Sequence, residues 1–306
     1  MSLALLVTGA GGQLGADLLA LARPAPDIAF ARGVNSAQLD VTDPFAVRDV
    51  VGEWARVVRS DDPAHRLVVI NAAAYTAVDD AETDEDRAYA VNAAGPALLA
   101  ATCGQVGAHL IQVSTDYVFA GDGSQPYEVD DPTGPTTAYG RTKLAGEQAV
   151  REALPDASWV VRTAWLYGAA GGNFVKTMAA LEASRDTVAV VDDQRGSPTW
   201  SRDLAAGLLE LARLQPPPGV LHATNSGAAT WRDFAAAVFA ELGADPARVT
   251  ATTSAAYPRP APRPAYSVLS GEAWARAGLT PLRDWRTALG AAFALQGEAF
   301  RPAGAS

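Results

Sequence analysis

The chain opens with an apolar run, Leu3-Ala-Leu-Leu-Val-Thr8, followed by Gly9-Ala-Gly-Gly12-Gln-Leu-Gly15 and an apolar stretch to Leu21 with helical spacing. No other feature restricts the fold as strongly. A six-residue apolar run stopped by glycine reads as a buried strand, and the helix after it begins inside the glycine cluster. Strand, glycine turn and helix in this order start a doubly wound α/β fold with a dinucleotide-binding loop. Gly9 allows the tight turn, Gly12 lets backbone N–H groups approach a diphosphate, and Gly15 lets the helix pack closely on the sheet. Gln13 and Leu14 open the helix, whose N-terminus supplies partial positive charge for an anion.

The same rhythm continues. Ile28–Arg32, Leu67–Asn71, His109–Ser114, Ser158–Thr163 and Thr187–Val191 read as further strands separated by helical stretches. Continuous apolar strands alternating with helices predict a parallel sheet covered on both faces, a Rossmann arrangement. After about residue 165 the pattern loosens. Helices are expected over Asn173–Ala183 and Ser201–Leu214, a break at Pro216-Pro217-Pro218-Gly219 and a strand over Gly219–Asn225. Thr230 with Asp233 makes a variant capping box. Alternating proline after Tyr257 imposes an extended path that displays Arg259 and Arg263, and a frayed tail is expected from about Arg301. The expected organisation is a nucleotide-binding domain over 1–165, with return segments at about 187–225, and a smaller C-terminal α/β substrate-binding lobe over 166–306.

With 306 residues, 49% hydrophobic and 19% charged, the chain has ample apolar mass for a core. Its formal net charge of −10 argues against nucleic acid as a partner. The run at Leu3–Val7 is too short to span a bilayer and lacks a basic leader, so neither a membrane segment nor a signal peptide is expected. Cys103 is the single cysteine, which suits a cytoplasmic location. His65, His109 and His222 lie far apart and show no metal-ligand spacing.

Two features carry chemistry. Tyr139 and Lys143 stand four residues apart, on one face of a helix. Lys143 and Lys176 are the only lysines among 24 basic residues, so this pairing is expected by chance roughly 0.05 times. An ammonium beside a phenol favours the phenolate and lowers the pKa of the Tyr139 phenol, making it a better proton donor to a ketone that accepts hydride. Thr115, at the carboxyl end of its strand, is placed to donate a hydrogen bond to that carbonyl, with Thr115 or Ser114 merely capping a turn as the blander alternative. After the second strand, Ala31-Arg32-Gly33 supplies no acid for a ribose 2′-hydroxyl. This favours NADPH over NADH as cofactor and leaves a solvated surface arginine as the alternative. Asp40-Val41 sits where a loop could meet an adenine, and the small side chains of Ala72-Ala73-Ala74 suit either close passage of a cofactor or helix packing.

These segments together resemble the dTDP-4-dehydrorhamnose reductase family of extended short-chain dehydrogenases/reductases. Matches run through Thr8–Gly15, Asn71–Asp79, Val91–Pro96, Ser114–Phe119, Tyr139–Glu147, Arg162–Gly168, Gly172–Val175, Asp193–Thr199 and Arg263–Ser267. The resemblance implies hydride transfer from NADPH or NADH to C4 of dTDP-4-dehydro-β-L-rhamnose, with Thr115, Tyr139 and Lys143 as the catalytic set. It implies cofactor contacts at Gly12, Gln13, Leu14, Arg32, Asp40, Val41 and Ala72–Ala74. Substrate contacts are implied at Thr76, Val78, Asp79, Thr115, Asp116, Tyr139 and Trp165. Arg259 and Arg263 are candidates for the substrate diphosphate, since a guanidinium fork matches phosphate geometry. Some members of the family use Mg²⁺ at a dimer contact, so the metal and a homodimer stay open. Two other classes compete. A dehydratase would place Glu directly after Thr115-Asp116, where this chain has Tyr117, and an epimerase would keep NAD tightly bound. A non-catalytic binding subunit, like the regulatory subunit of eukaryotic methionine adenosyltransferase, would not need the Thr115–Tyr139–Lys143 set.

Overall fold

The computed structural model describes residues 2–302. Five strands follow in sequence: β1 (Leu3–Thr8), β2 (Ile28–Val34), β3 (Arg66–Asn71), β4 (His109–Thr115) and β5 (Ser158–Thr163). With Gly219–His222 they form one six-stranded sheet of spatial order (219–222)-β5-β4-β3-β1-β2, every neighbouring pair parallel. β1 and β5 are buried along their whole length, the apolar run Leu3–Val7 filling the first and Trp159–Val161 the middle of the second, where Arg162 is also buried.

Helices cover both faces. α1 (Gln13–Ala22) packs with Ser201–Leu214 on one side, their leucines meeting Leu3, Leu5, Val7 and Trp159. On the other side α2 (Pro44–Asp61) meets Leu6, Val69 and Leu110 together with the helical stretch that begins at α3 (Glu85–Tyr89). That stretch passes through a π turn at Ala90–Ala94 into α4 (Gly95–Val106). α5 (Ala138–Ala153) completes this layer. The strand order reverses between β1 and β3, so a ligand crevice opens beyond their carboxyl ends.

A third core, built around Tyr167, Val190, Trp200, Phe234, Phe239 and Trp285, belongs to the C-terminal lobe. It corrects one expectation. Val188–Val191 does not extend the central sheet but pairs with Val249–Thr252 in a separate two-stranded sheet. Only Val188 and Val190 are buried there, so the strand has one covered face, which a short run of small apolar residues does not disclose. The strand expected over Gly219–Asn225 stops at His222, and Asn225 turns inward to bind the Trp200 N–H, Asp203 and the Arg283 carbonyl. The Thr230–Asp233 capping box forms with both hydrogen bonds. The tail from Arg301 falls largely outside the described residues. Among the described residues no helix is long and apolar enough to cross a membrane.

Candidate active site

The glycine loop is shaped by close backbone contact. Gly9 has φ +67°, and a Cβ there would stand 2.6 Å from the Ala72 carbonyl. A Cβ at Gly15 would collide with the Gly9 carbonyl. Gly12 caps α1 without a side-chain hydrogen bond, and no acid occupies the first turn. The first N–H groups of α1 are therefore open toward an anion, the chemistry a cofactor diphosphate needs.

The second cofactor element differs from expectation. β2 runs to Val34, so Arg32 lies within the strand and not at its end. Its guanidinium meets Glu53 of α2 at 3.4 Å, both side chains being largely solvated. The residue beside the phosphate loop is Asn35: Ala10 N–H donates to the Val34 carbonyl, and a Cβ on Gly11 would lie 4.0 Å from the Asn35 Cβ. Asn35 Oδ1 accepts from the Ala37 and Gln38 N–H groups, which fixes that turn. Asp40 is engaged by the Thr42 hydroxyl and N–H, which hold its carboxyl below the usual range, and Val41 is buried against Gly95.

At the end of β4 the catalytic candidates converge. Thr137 caps α5 by accepting from Gly140 N–H, which sets Tyr139 and Lys143 facing β4 one turn apart. Thr115 caps the turn at Asp116–Val118 by accepting from Tyr117 N–H, the alternative use foreseen for it, and its hydroxyl faces the Tyr139 phenol. Lys143 Nζ donates to the Val113 carbonyl at 2.7 Å. Burial lowers its pKa to about 8, with the Glu147 charge acting the other way. The expected lowering of the Tyr139 phenol is reversed in the chain alone. Burial pushes it up to about 12, the Thr115 hydrogen bond opposes this, and the Asp116 charge adds to it. Desolvation of a phenolate outweighs an ammonium that is itself turned to a carbonyl. Burial likewise raises the Asp116 carboxyl to about 6.

Two supporting contacts escaped the motif reading. Asn92, in the π turn, donates to the Tyr75 carbonyl and the Thr142 hydroxyl and accepts from Tyr75 N–H, joining the 72–78 loop to α5. Glu147 receives the Arg162 guanidinium and the Ser114 hydroxyl, all of them buried.

Opposite the catalytic set, Trp165 adopts φ +45°, an uncommon conformation for a residue with a side chain. Its indole stacks on Trp231 with ring centroids 3.5 Å apart, and Trp231 Nε1 donates to Gln194. Arg263 forks onto Asp79 with two 2.9 Å bonds and is not free for a diphosphate. Burial acts to raise the Asp79 carboxyl, but Arg263 and the Ala261 N–H hold it below the usual range. Arg259 approaches Asp79 only to 4.0 Å and is exposed.

A cavity of about 590 Å³ gathers Gly12–Gly15, Ala72–Ala74, Thr76, Val78, Thr115, Asp116, Tyr139, Lys143 and Trp165. Its walls also include Ser114, Tyr117 and Trp231, which the sequence reading did not place among the site residues. Gly9, Arg32, Asp40, Val41, Asp79 and Arg263 lie outside them. Among the described residues no group of three or more His, Cys, Asp or Glu is arranged to hold a metal ion.

A family model described as RmlD substrate binding domain matches residues 3–296. The chain belongs to the RmlD substrate binding domain family. This RmlD-family chain is 54% identical over 305 residues to a dTDP-4-dehydrorhamnose reductase of Streptomyces griseus, with 97% of this chain and 95% of that one covered. It is 52% identical over 291 residues to a probable dTDP-4,6-dihydroxy-2-methyloxan-3-one 4-ketoreductase of Streptomyces antibioticus, covering 94% of each. Its fold matches the dTDP-4-dehydrorhamnose reductase of Bacillus anthracis, solved in complex with NADP, with a TM-score of 0.89 and 34% identity. That match covers 96% of this chain and 100% of the other.

Proposed function

We propose that the chain reduces the C4 ketone of dTDP-4-dehydro-β-L-rhamnose to dTDP-β-L-rhamnose, using NADPH or NADH. The observation that carries the reading is one cavity wall shared by the open N-terminus of α1 and the Thr115–Tyr139–Lys143 cluster, in a chain 54% identical to the Streptomyces griseus reductase. A reduced nicotinamide, when bound, supplies hydride. The chain's residues do the rest. The α1 N-terminus and the Ala72–Ala74 edge hold the cofactor, Thr115 orients the carbonyl, and Tyr139 gives its phenolic proton to the carbonyl oxygen as it becomes an alcohol. The Lys143 ammonium adds positive charge beside the cofactor ribose. Trp165 and Thr76–Val78 close around the sugar.

The nucleotide-holding domain in this proposal is 1–165 with the returning segments, and the sugar nucleotide rests on the lobe at 166–306. A cytoplasmic location and a homodimer belong to the same reading, to be checked by cell fractionation and light scattering. The similarity to the Streptomyces antibioticus ketoreductase favours a second reading, a 4-keto sugar of different configuration. One assay separates the two: dTDP-glucose is converted in situ by a dehydratase with and without a 3,5-epimerase, and reduced-nicotinamide absorbance is followed with each cofactor. Consumption that requires the epimerase is expected, whereas consumption without it selects the second reading. Tyr139→Phe should keep cofactor binding and lose at least 10²-fold in kcat. A folded variant with near wild-type turnover would remove Tyr139 from the mechanism.

A further inference from the structure

Between the end of β5 at Thr163 and the short strand pair Leu166–Tyr167 with Thr199–Trp200, the chain turns at Trp165 with φ +45°. The turn itself asks for no side chain, and glycine would take it without steric cost. An indole kept in this backbone region carries strain, which persists only where the surroundings fix it, often at ligand clamps. The surroundings here do so. Thr199 N–H donates to the Trp165 carbonyl at 3.1 Å. Gly196 lies against the ring, and a Cβ on it would stand 2.4 Å from Cε2 and 2.5 Å from Nε1. Trp231 covers one face, the two ring planes differing by 5°. Trp231 is itself held from several sides. It opens the helix Trp231–Glu241 directly after Thr230, whose hydroxyl donates to Asp192 at 2.6 Å and accepts from Asp233 N–H. Its Nε1 donates to Gln194 Oε1 at 3.1 Å, and Gln194 Nε2 donates in turn to Ser254 Oγ. Phe174 packs against it with ring centroids 4.5 Å apart. Both indoles sit partly buried at the edge of the C-terminal core and line the cavity that holds Thr115, Tyr139 and Lys143.

We propose that Trp231 and Gly196 clamp Trp165 in the orientation that seats the sugar, which makes Trp231 a positioning residue acting through Trp165. The inference rests on the reductase reading, in which Trp165 closes on the sugar. An indole free to swing would have to be ordered by the substrate at the moment of binding, at the expense of affinity. A ring already fixed by a stack on one side and a bare glycine on the other is preorganised. The stack also leaves only the opposite face and the edge of Trp165 to a ligand. Thr115, Tyr139 and Lys143 are set by β4 and α5 and make no use of the clamp. Its loss therefore weakens sugar binding more than it slows the chemical step.

Trp231→Leu is the test, because it keeps an apolar side chain and removes the flat face. With NADPH and the 4-keto sugar it should raise KM for the sugar roughly tenfold and lower kcat less than about threefold, with the NADPH dissociation constant within about twofold of wild type. Trp231→Phe restores a ring without the Gln194 bond and should bring KM back to within about threefold of wild type. Trp165→Ala should raise KM at least as far, and adding Trp231→Leu to it should change KM no further, since the two rings act as one unit. Effects that multiply in the double variant would show Trp231 acting independently of Trp165, and overturn the clamp. A Trp231→Leu KM near the wild-type value overturns it, as does a loss of NADPH binding that matches the loss of sugar binding, which assigns Trp231 to packing alone. If Trp231→Leu does not fold, Gly196→Ala carries the test from the other side, because its methyl needs the space of the Trp165 ring. KM for the sugar should again rise roughly tenfold with NADPH binding kept, and an unchanged KM overturns the proposal. Wild type that consumes no NADPH with this sugar overturns the reductase reading and the clamp with it, while a turning-over wild type isolates the clamp.

Discussion

A 2′-phosphate on the cofactor ribose would bring negative charge to the end of β2, and the side chain placed there is the uncharged Asn35. A neutral amide neither repels a phosphate nor demands one, which fits use of both NADPH and NADH. Asn35→Asp introduces a carboxylate at that point. Two like charges about 4–6 Å apart near a surface cost about a few kcal/mol before screening, so the NADPH-to-NADH ratio of kcat/KM should fall at least roughly tenfold. Arg32→Ala should leave the ratio within about twofold, because an exposed pair such as Arg32–Glu53 contributes little and faces α2. Steady-state kinetics with both cofactors check the two variants, and a tenfold change from Arg32→Ala would return that residue to the cofactor site. The motif reading chose Arg32 because the strand pattern fades after Ala31. β2 is an edge strand with polar Arg32 and Gly33 inside it, so its true end three residues later leaves no trace in hydrophobicity.

At the scale of the element, α5 presents Tyr139, Lys143 and Glu147 at successive four-residue steps, one stripe facing β4 and β5. The first two positions were legible because the chemistry of a phenol with an ammonium is specific and lysine is scarce here. The third was legible only as part of a matching segment. Its partners come from two strands, and what unites them is register: Ser114 of β4 pairs with Arg162 of β5, so both reach Glu147. Sequence periodicity carries no information about which residues face each other across strands. The glycine loop, by contrast, was readable because its turn and the Gly9–Gly15 contact are local, although Gly9 also meets Ala72 of the next strand end. Glu147 opposes the lowering of the Lys143 pKa, and this gives a signed expectation. Below about pH 8 Lys143 is an ammonium and above it a neutral amine, so kcat/KM should decline as pH rises through that value. Glu147→Gln removes the counter-charge and should move this decline to lower pH by roughly one unit. It also leaves the buried Arg162 guanidinium without an anion, at a cost of about 3–5 kcal/mol in stability. Urea unfolding and a pH profile read the two effects separately, and a decline that stays in place would show that Glu147 serves packing alone.

For the whole molecule the informative contact is the one that ties the two parts together over the crevice. Asp79, in the turn after the cofactor edge, and Arg263, in the proline-rich segment, are joined by two hydrogen bonds of 2.9 Å. Nearby, Tyr266 N–H donates to the Gly121 carbonyl, and Gly121, at φ +85°, leaves no room for a Cβ against Pro264. Alternating proline foretold that the segment would be extended and would display Arg263, but not that an acid 184 positions away would take the guanidinium. The pair is partly exposed, so its worth to stability is small. Its effect should instead fall on how the segment is held above the sugar nucleotide. Arg263→Met and Asp79→Asn should each raise KM for the dTDP-sugar several-fold to roughly tenfold while kcat changes less than threefold. The double variant should be no worse than either single one, because each change breaks the same link. If Arg263 instead gripped the diphosphate directly, Asp79→Asn would release it for that purpose. KM would then stay the same or fall for Asp79→Asn, and rise only for Arg263→Met. Steady-state kinetics on the four proteins distinguish a strap held by an acid from an arginine that the acid restrains.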